Sequence, residues 1–302
     1  MLNFLTSIVI PVYNRPEALK KTLESVIKQT YSNIEVLVVD DGSDVEIYPI
    51  IETLGDNRIF YFKLNHKNAN VARNYGIEKS KGKYIAMLDA DDIWLENHLE
   101  KCFKILQIGR ADGLYGSLIL RNMNTKQERI TFVRALQKGE TMIDYLLSTG
   151  YGAQTSTLFM TAESAKFVLW DSTLNRHQDY DFVVRYSKQY TLIPKTEPTV
   201  IYTLGEAKQL KIDLKSCIKV IKDNENDISP NLYNSYHLNM LSLARQQNSS
   251  GDIIEHYKRE ATYYKEYLNY YQFLVIRYPQ TKFQRLKCKL EYLFYILRIG
   301  VK

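Results

Sequence analysis

Between Ser7 and Leu88, strand-length apolar runs alternate with segments of helical periodicity, and that alternation leaves few folds open. Ile34–Asp40 (IEVLVVD) is almost unbroken in its apolar character, as suits a parallel strand covered on both faces. Ser7–Val12 and Tyr84–Leu88 read the same way, with a further strand near Ile59–Leu64. Asn14 as N-cap and Pro16 as an early helical proline predict a helix to about Gln29, with Leu19, Leu23, Val26 and Ile27 at helical spacing. A short helix near Val45–Leu54 and one over Asn70–Ser80, broken by Gly82, complete the series. Strand–helix units at this pace are right-handed βαβ crossovers. The expected fold is therefore α/β with a mainly parallel sheet.

Beyond Leu88 the pattern loosens. A helix is expected over Glu96–Gln107, strands over Gly113–Leu120 and Thr157–Met160, and a helix over Asp179–Tyr190. Arg121–Gly139 is polar and fits neither period. From about Gly205 prolines and glycines thin out, and helices are expected over Leu214–Asp223, Tyr233–Gln247, Ile253–Tyr271 and Lys282–Leu297. The predicted organisation is a domain over residues 1–205 and a helical extension over residues 206–302.

The charge is uneven. The chain carries +6 overall, and from Arg277 onward seven basic residues face the single acid Glu291, so that tail holds the whole excess. A neutral body with a basic tail argues against a nucleic-acid channel and for a local contact with an anionic surface. In the tail, Phe283, Leu286, Leu290, Leu293, Phe294 and Leu297 form one helical stripe beside Lys282, Arg285 and Lys289. Such a helix suits either a membrane interface or packing against the extension. No apolar run reaches the roughly 18 residues of a membrane span, and Met1–Thr6 lacks the look of a signal peptide. Cys102, Cys217 and Cys288 offer neither a disulfide framework nor a zinc spacing. These features predict a cytoplasmic protein, peripheral at the inner face of the plasma membrane if the tail binds lipid.

Acidic residues stand at the carboxyl ends of two strands, where open α/β sheets bind ligands. Asp40 and Asp41 end the Ile34–Val39 run ahead of Gly42 and Ser43. They read either as a ligand acceptor or as a plain Asx turn. Asp89-Ala90-Asp91-Asp92 ends the next such strand. Three carboxylates in four residues repel unless solvent or a cation neutralises them, and oxygen-only ligands select a hard ion such as Mg²⁺ or Mn²⁺. A solvated turn is the alternative, though the flanking Leu88 and Ile93-Trp94-Leu95 oppose free solvation.

The stretches SIVIPVYN (Ser7–Asn14), VVDDGS (Val38–Ser43), NVARNYG (Asn70–Gly76), KGKYIAMLDADD (Lys81–Asp92) and QDYDFVVR (Gln178–Arg185) together resemble a family 2 glycosyltransferase with the GT-A fold. They span nearly all of residues 7–203 in the family's order. The resemblance implies that Pro11, Tyr13 and Asp41 line a nucleotide pocket, with Asp41 accepting from the base and Arg73 nearby. It further implies Asp89 facing the ribose or donor sugar, Asp91 as the direct ligand of Mn²⁺ or Mg²⁺, and Asp179 as the general base. Gln178 stands where the family has glutamate, which bears on donor or acceptor contacts more than on the base.

The implied reaction transfers a sugar from a nucleotide diphosphate donor to the hydroxyl of a saccharide or lipid-linked saccharide, in bacterial surface-polysaccharide synthesis. A divalent ion stabilises the departing diphosphate and a carboxylate accepts the nucleophile's proton. One base opposite the leaving group gives a single displacement and inversion. Without the resemblance, Asp179 and Asp181 would read as acids of a helix's first turn. A nucleotidyltransferase would want a glycine-rich basic loop after the first strand, which Pro11–Arg15 lacks. A subunit that binds nucleotide sugar without turnover is the other alternative. His66, His98, His177, His237 and His256 show no metal-ligand spacing, though His177 adjoins the expected base. The tyrosine stripe Tyr263, Tyr264, Tyr267, Tyr270 and Tyr271 fits core packing better than carbohydrate stacking.

Overall fold

The computed structural model describes residues 4–150, 152–204 and 211–267. They fall into two compact units: one built from residues 4–142 and 149–204, the other from Ile143–Ser148 with residues 211–267. The basic tail helix expected over Lys282–Leu297 lies outside the described residues, as do Tyr270 and Tyr271.

The first unit is a nine-stranded sheet with helices. Its opening elements follow the alternation: β1 (Thr6–Val12), α1 (Pro16–Ile27), β2 (Ile34–Asp40), α2 (Tyr48–Leu54), β3 (Ile59–Lys63), α3 (Ala69–Lys79) and β4 (Tyr84–Met87). β3, β2, β1 and β4 lie side by side and run parallel. Every residue of β1 and β2 is buried, the burial that an unbroken apolar run demands. Leu19, Leu23 and Val26 of α1 join Ile8, Ile10, Val36 and Val38 in one core. α3 approaches β1 closely through Gly76, where a Cβ would stand 2.4 Å from Val9 Cγ1. That contact fixes the helix carrying Arg73.

The rest of the sheet is mixed. β5 (Ile93–Trp94), α4 (His98–Gly109), β6 (Gly113–Asn122) and β7 (Glu128–Thr131) are followed by β8 (Phe159–Thr161), α6 (Ala162–Val168), α7 (Gln178–Ser187) and β9 (Leu192–Leu204). α5 (Met142–Thr149) precedes β8 in the chain. β8 sits antiparallel between β4 and β6, while β9 runs parallel to β6 and antiparallel to β5. β9 contains Pro194 and Pro198, which speak against a strand in sequence. The ladder accommodates Pro198 by a register shift: Gly116 pairs with Lys195, but Leu118 pairs with Val200.

In the second unit, α8 (Leu214–Asp223), α9 (Pro230–Gln246) and α10 (Gly251–Glu260) pack around Leu214, Cys217, Leu241, Ala244 and Tyr257. Asp213 caps α8, accepting from the N–H groups of Lys215 and Ser216 at 3.0 and 3.3 Å. Gln247 closes the bundle by bonding both backbone groups of Ile212, each at 3.1 Å. The helix expected over Ile253–Tyr271 ends at Glu260, and Lys265–Tyr267 form a single 3-10 turn. Among the described residues no helix is long and apolar enough to cross a membrane.

Candidate active site

The loops after β1 and β2 are laced together. Asp41 N–H donates to Val12 O at 2.9 Å, and Asn14 N–H to Ser43 Oγ at 2.9 Å. The Asn14 side chain accepts from Asp44 N–H at 2.8 Å and donates to Asp44 Oδ2 at 2.9 Å. Asn14 therefore does not cap α1, as its place before Pro16 suggests. It takes a left-handed conformation, φ 52°, which asparagine tolerates, and binds the neighbouring loop.

The two adjacent aspartates divide their work. Asp40 forms the turn, accepting from Ser43 N–H at 2.7 Å and Tyr61 Oη–H at 2.6 Å. Asp41, only 3% exposed, accepts from Lys67 N–H at 2.9 Å and lies 2.9 Å from His66 Nδ1. It is Asp41 that lines a cavity of about 450 Å³, together with Pro11, Tyr13, Arg15, Arg73, Asp89 and Asp91.

The acidic cluster after β4 is likewise divided. Arg73 Nη2 holds Asp89 Oδ1 at 2.7 Å, while Asp91 pairs with Arg15 Nη1. Asp92 is buried, accepting from Ser156 Oγ–H and from Thr203 N–H at 3.4 Å. Burial, reinforced by the Asp89 charge, pushes its carboxyl up to about 7. Ser156 Oγ also accepts from Asp89 N–H at 3.0 Å, so one hydroxyl spaces the two acids. The three carboxylates thus have separate partners and form no shared ligand set. Among the described residues no group of three or more His, Cys, Asp or Glu could hold a metal.

Arg73 is the hub. It is 5% exposed, bonds Asn70 Oδ1 at 2.9 Å and Gln178 Oε1 at 3.4 Å, and lies 4.7 Å from the Trp170 ring centre. Among the described residues its Nε has no partner although buried. Gln178 also donates to Leu174 O at 3.0 Å, tying the start of α7 to the preceding turn.

A second cavity, of about 320 Å³, holds Asp179. Arg73, Asp89, Gln154, Arg176, Gln178 and Tyr202 contribute to the walls of both cavities. Burial pushes the Asp179 carboxyl up, opposed by Tyr180 N–H at 3.0 Å and by the Arg176 and Arg73 charges. His177, at φ 57°, stacks on Tyr180 at 4.7 Å, and burial beside Arg176 pushes it down to about 4. Asp181, the neighbouring acid, is structural. It pairs with Arg185 at 2.6 Å, and Arg185 also caps the end of α6 through Val168 O and Leu169 O.

Pro11, Tyr13, Asp41, Arg73, Asp89 and Asp91 therefore share one cavity, with Asp179 in its neighbour. Arg15, Gln154, Arg176 and Tyr202 join them without having been singled out in sequence. Tyr202 belongs to the proline-bearing β9, and the others stand beside the motifs or in loops without periodicity.

The family model for glycosyl transferase family 2 matches residues 7–163. The chain belongs to that family. It is 30% identical over 192 residues to the amylovoran biosynthesis glycosyltransferase AmsB of Erwinia amylovora, covering 60% of this chain and 64% of that protein. It is 44% identical over 92 residues to an Escherichia coli enzyme, the UDP-Glc:alpha-D-GlcNAc-diphosphoundecaprenol beta-1,3-glucosyltransferase WfaP, covering 30% of this chain and 37% of that one. The match thus spans less than two thirds of either relative's length. S. aureus TarS 1-349, solved in complex with UDP-GlcNAc, shares the GT-A fold with a TM-score of 0.57 at 16% identity, over 89% of this chain and 72% of that one. Gln178 and Asp179 lie beyond the stretch matched by the family model.

Proposed function

We propose that this family 2 glycosyltransferase moves a sugar from a nucleoside diphosphate donor to a hydroxyl of a saccharide carried on a lipid diphosphate, with inversion. The observation that carries the reading is the pair of adjoining cavities: Asp41, Arg73, Asp89 and Asp91 line one, Asp179 lines the other, and they share a wall. The UDP-GlcNAc bound by TarS and the acceptor named for WfaP support the substrate classes.

In this reading the nucleobase and ribose occupy the Tyr13–Asp41 end of the first cavity, and Arg73 orients Asp89 toward the donor. Asp179 accepts the proton of the acceptor hydroxyl as the new glycosidic bond forms and the bond to diphosphate breaks. Burial favours its protonated form, which makes it a stronger base than a solvated carboxylate. Asp91 fits a divalent ion of the Mg²⁺ or Mn²⁺ type. Its carboxylate already carries a cation, Arg15, and diphosphate oxygens and water would complete a shell that one protein carboxylate begins. Bound there, the ion would neutralise charge on the departing diphosphate.

A panel of UDP-, GDP- and dTDP-sugars, with and without a synthetic GlcNAc-diphosphate lipid, tests the proposal by nucleoside diphosphate release. Release from one donor class, raised by the acceptor and abolished by a chelator, is expected. No release from any donor would favour a binding subunit without turnover. Release that withstands the chelator would remove the metal from the account.

A further inference from the structure

His66 belongs to none of the motifs that mark the family and does not line the donor cavity, yet it touches two residues that do. It sits on the loop between β3 and α3. Its Nδ1 lies 2.9 Å from Asp41 Oδ2 and 3.0 Å from Asp41 O. Both are acceptors, so Nδ1 carries the hydrogen and shares it between them. The ring's face lies against Tyr13, with centroids 4.2 Å apart and planes inclined by 18°. One imidazole therefore joins the end of β1, which carries Tyr13, to the end of β2, which carries Asp41.

The arrangement is built into the backbone. Gly42, at φ +75°, lies so close that a Cβ there would stand 2.6 Å from His66 N and 3.0 Å from Leu64 O. Next to His66, Lys67 N–H bonds the other Asp41 oxygen at 2.9 Å. Asp41 is thus gripped at both oxygens from the β3–α3 loop, and lone pairs remain on each for a further donor. A carboxylate accepts and does not donate. At the middle of their pairing edges uracil and guanine offer an N–H, whereas cytosine offers a lone pair.

We infer that His66 is the positioning residue for nucleobase recognition, fixing the Tyr13 ring and the Asp41 acceptor together so that the site prefers a base with a ring N–H over cytosine. This rests on the proposed function, in which Asp41 faces the base. His66 acts through its two neighbours and touches no substrate.

Calorimetric titration of the full chain with UDP, GDP and CDP tests the inference on wild type, His66→Phe and His66→Asn. Wild type is expected to bind UDP or GDP more tightly than CDP. His66→Phe keeps a stacking ring and loses the donor, so that preference should narrow about tenfold, the scale of one charge-assisted hydrogen bond. His66→Asn keeps an N–H and loses the stack, so all three ligands should weaken by a similar factor while the preference survives. If His66→Phe fails to fold, His66→Ala removes both contacts without added bulk and should narrow the preference likewise. A wild-type preference retained in the folded Phe or Ala variant overturns the role of His66 and leaves the donor reading standing. A wild type that binds all three alike overturns the inference and leaves a nucleoside diphosphate site standing, whereas one that binds none removes the donor reading and the inference with it.

Discussion

Replacing Arg73 with methionine tests the hub on which both cavities depend. The guanidinium is nearly fully buried and bonds Asp89 at 2.7 Å, Asn70 at 2.9 Å and Gln178 at 3.4 Å over the Trp170 ring. Breaking a fully buried ion pair from one side costs about 3–5 kcal/mol, mostly through the charge left behind. Here that charge is Asp89, whose side chain is 22% exposed and can recover some hydration. Methionine preserves the apolar contact with Trp170, and the long bond to Gln178 is weak. The expected loss is therefore about 2–3 kcal/mol, just below that range. Urea unfolding of Arg73→Met measures it. The double variant Arg73→Met/Asp89→Asn should be more stable than Arg73→Met, because no buried charge is left unpaired. Sugar transfer should be lost in both variants, since both residues line both cavities. A loss below about 0.5 kcal/mol, the range of a neutral surface change, would refute the reasoning, as would a double variant no more stable than the single one.

Asp91→Asn should abolish metal-dependent donor binding and turnover while leaving the melting temperature close to wild type, because Asp91 is partly exposed and its ion pair among the described residues is with the exposed Arg15. Thermal shift with nucleoside diphosphate and Mn²⁺ reads this, and a metal response like wild type's would count against the assignment. In the second unit, burial pushes His237 down to about 4 from 6.5. Between those values the unfolded chain binds more protons, so stability rises with pH, is complete above 6.5 and is lost as pH falls toward 4. His237→Leu should remove about 3 kcal/mol of the stability change between pH 7 and pH 4, read as the difference in urea midpoints from wild type; identical pH dependence would contradict it. The sequence of the tail predicts salt-sensitive sedimentation with anionic liposomes for the full chain and little for one ending at Pro279. Equal binding by both, or by neither at low salt, would assign the tail another role.

The residues themselves explain which parts of this structure could be read in advance. β2 was legible because both of its faces are covered, leaving a nearly unbroken apolar run. β9 was hidden by Pro194 and Pro198; Pro194 stays in register opposite Tyr115, and Pro198 falls in a register shift that only the neighbouring strand reveals. From their own pattern Asp40 and Asp41 read only as a pair, ligand acceptor or turn, and the resemblance alone singled out Asp41; the division arises because successive side chains at a strand end point opposite ways. The acidic cluster was equally visible, but its separation was not. Asp91 pairs with an arginine 76 positions away, and Asp92 accepts a hydrogen bond from a serine 64 positions away. His66 carried no periodic or spacing signal at all, since its contacts reach back to the ends of β1 and β2.

Single-turnover transfer tests the central claim most directly. Enzyme in excess is mixed with a donor labelled in the sugar and a synthetic GlcNAc-diphosphate lipid, and the product's anomeric configuration is read by NMR. The account predicts that label passes to the lipid as one nucleoside diphosphate is released per sugar, with inversion. Asp179→Asn should slow that transfer by roughly a hundredfold or more while donor binding stays near wild type, as for loss of a general base. Retention of configuration, or an Asp179→Asn variant that transfers at the wild-type rate, would contradict it.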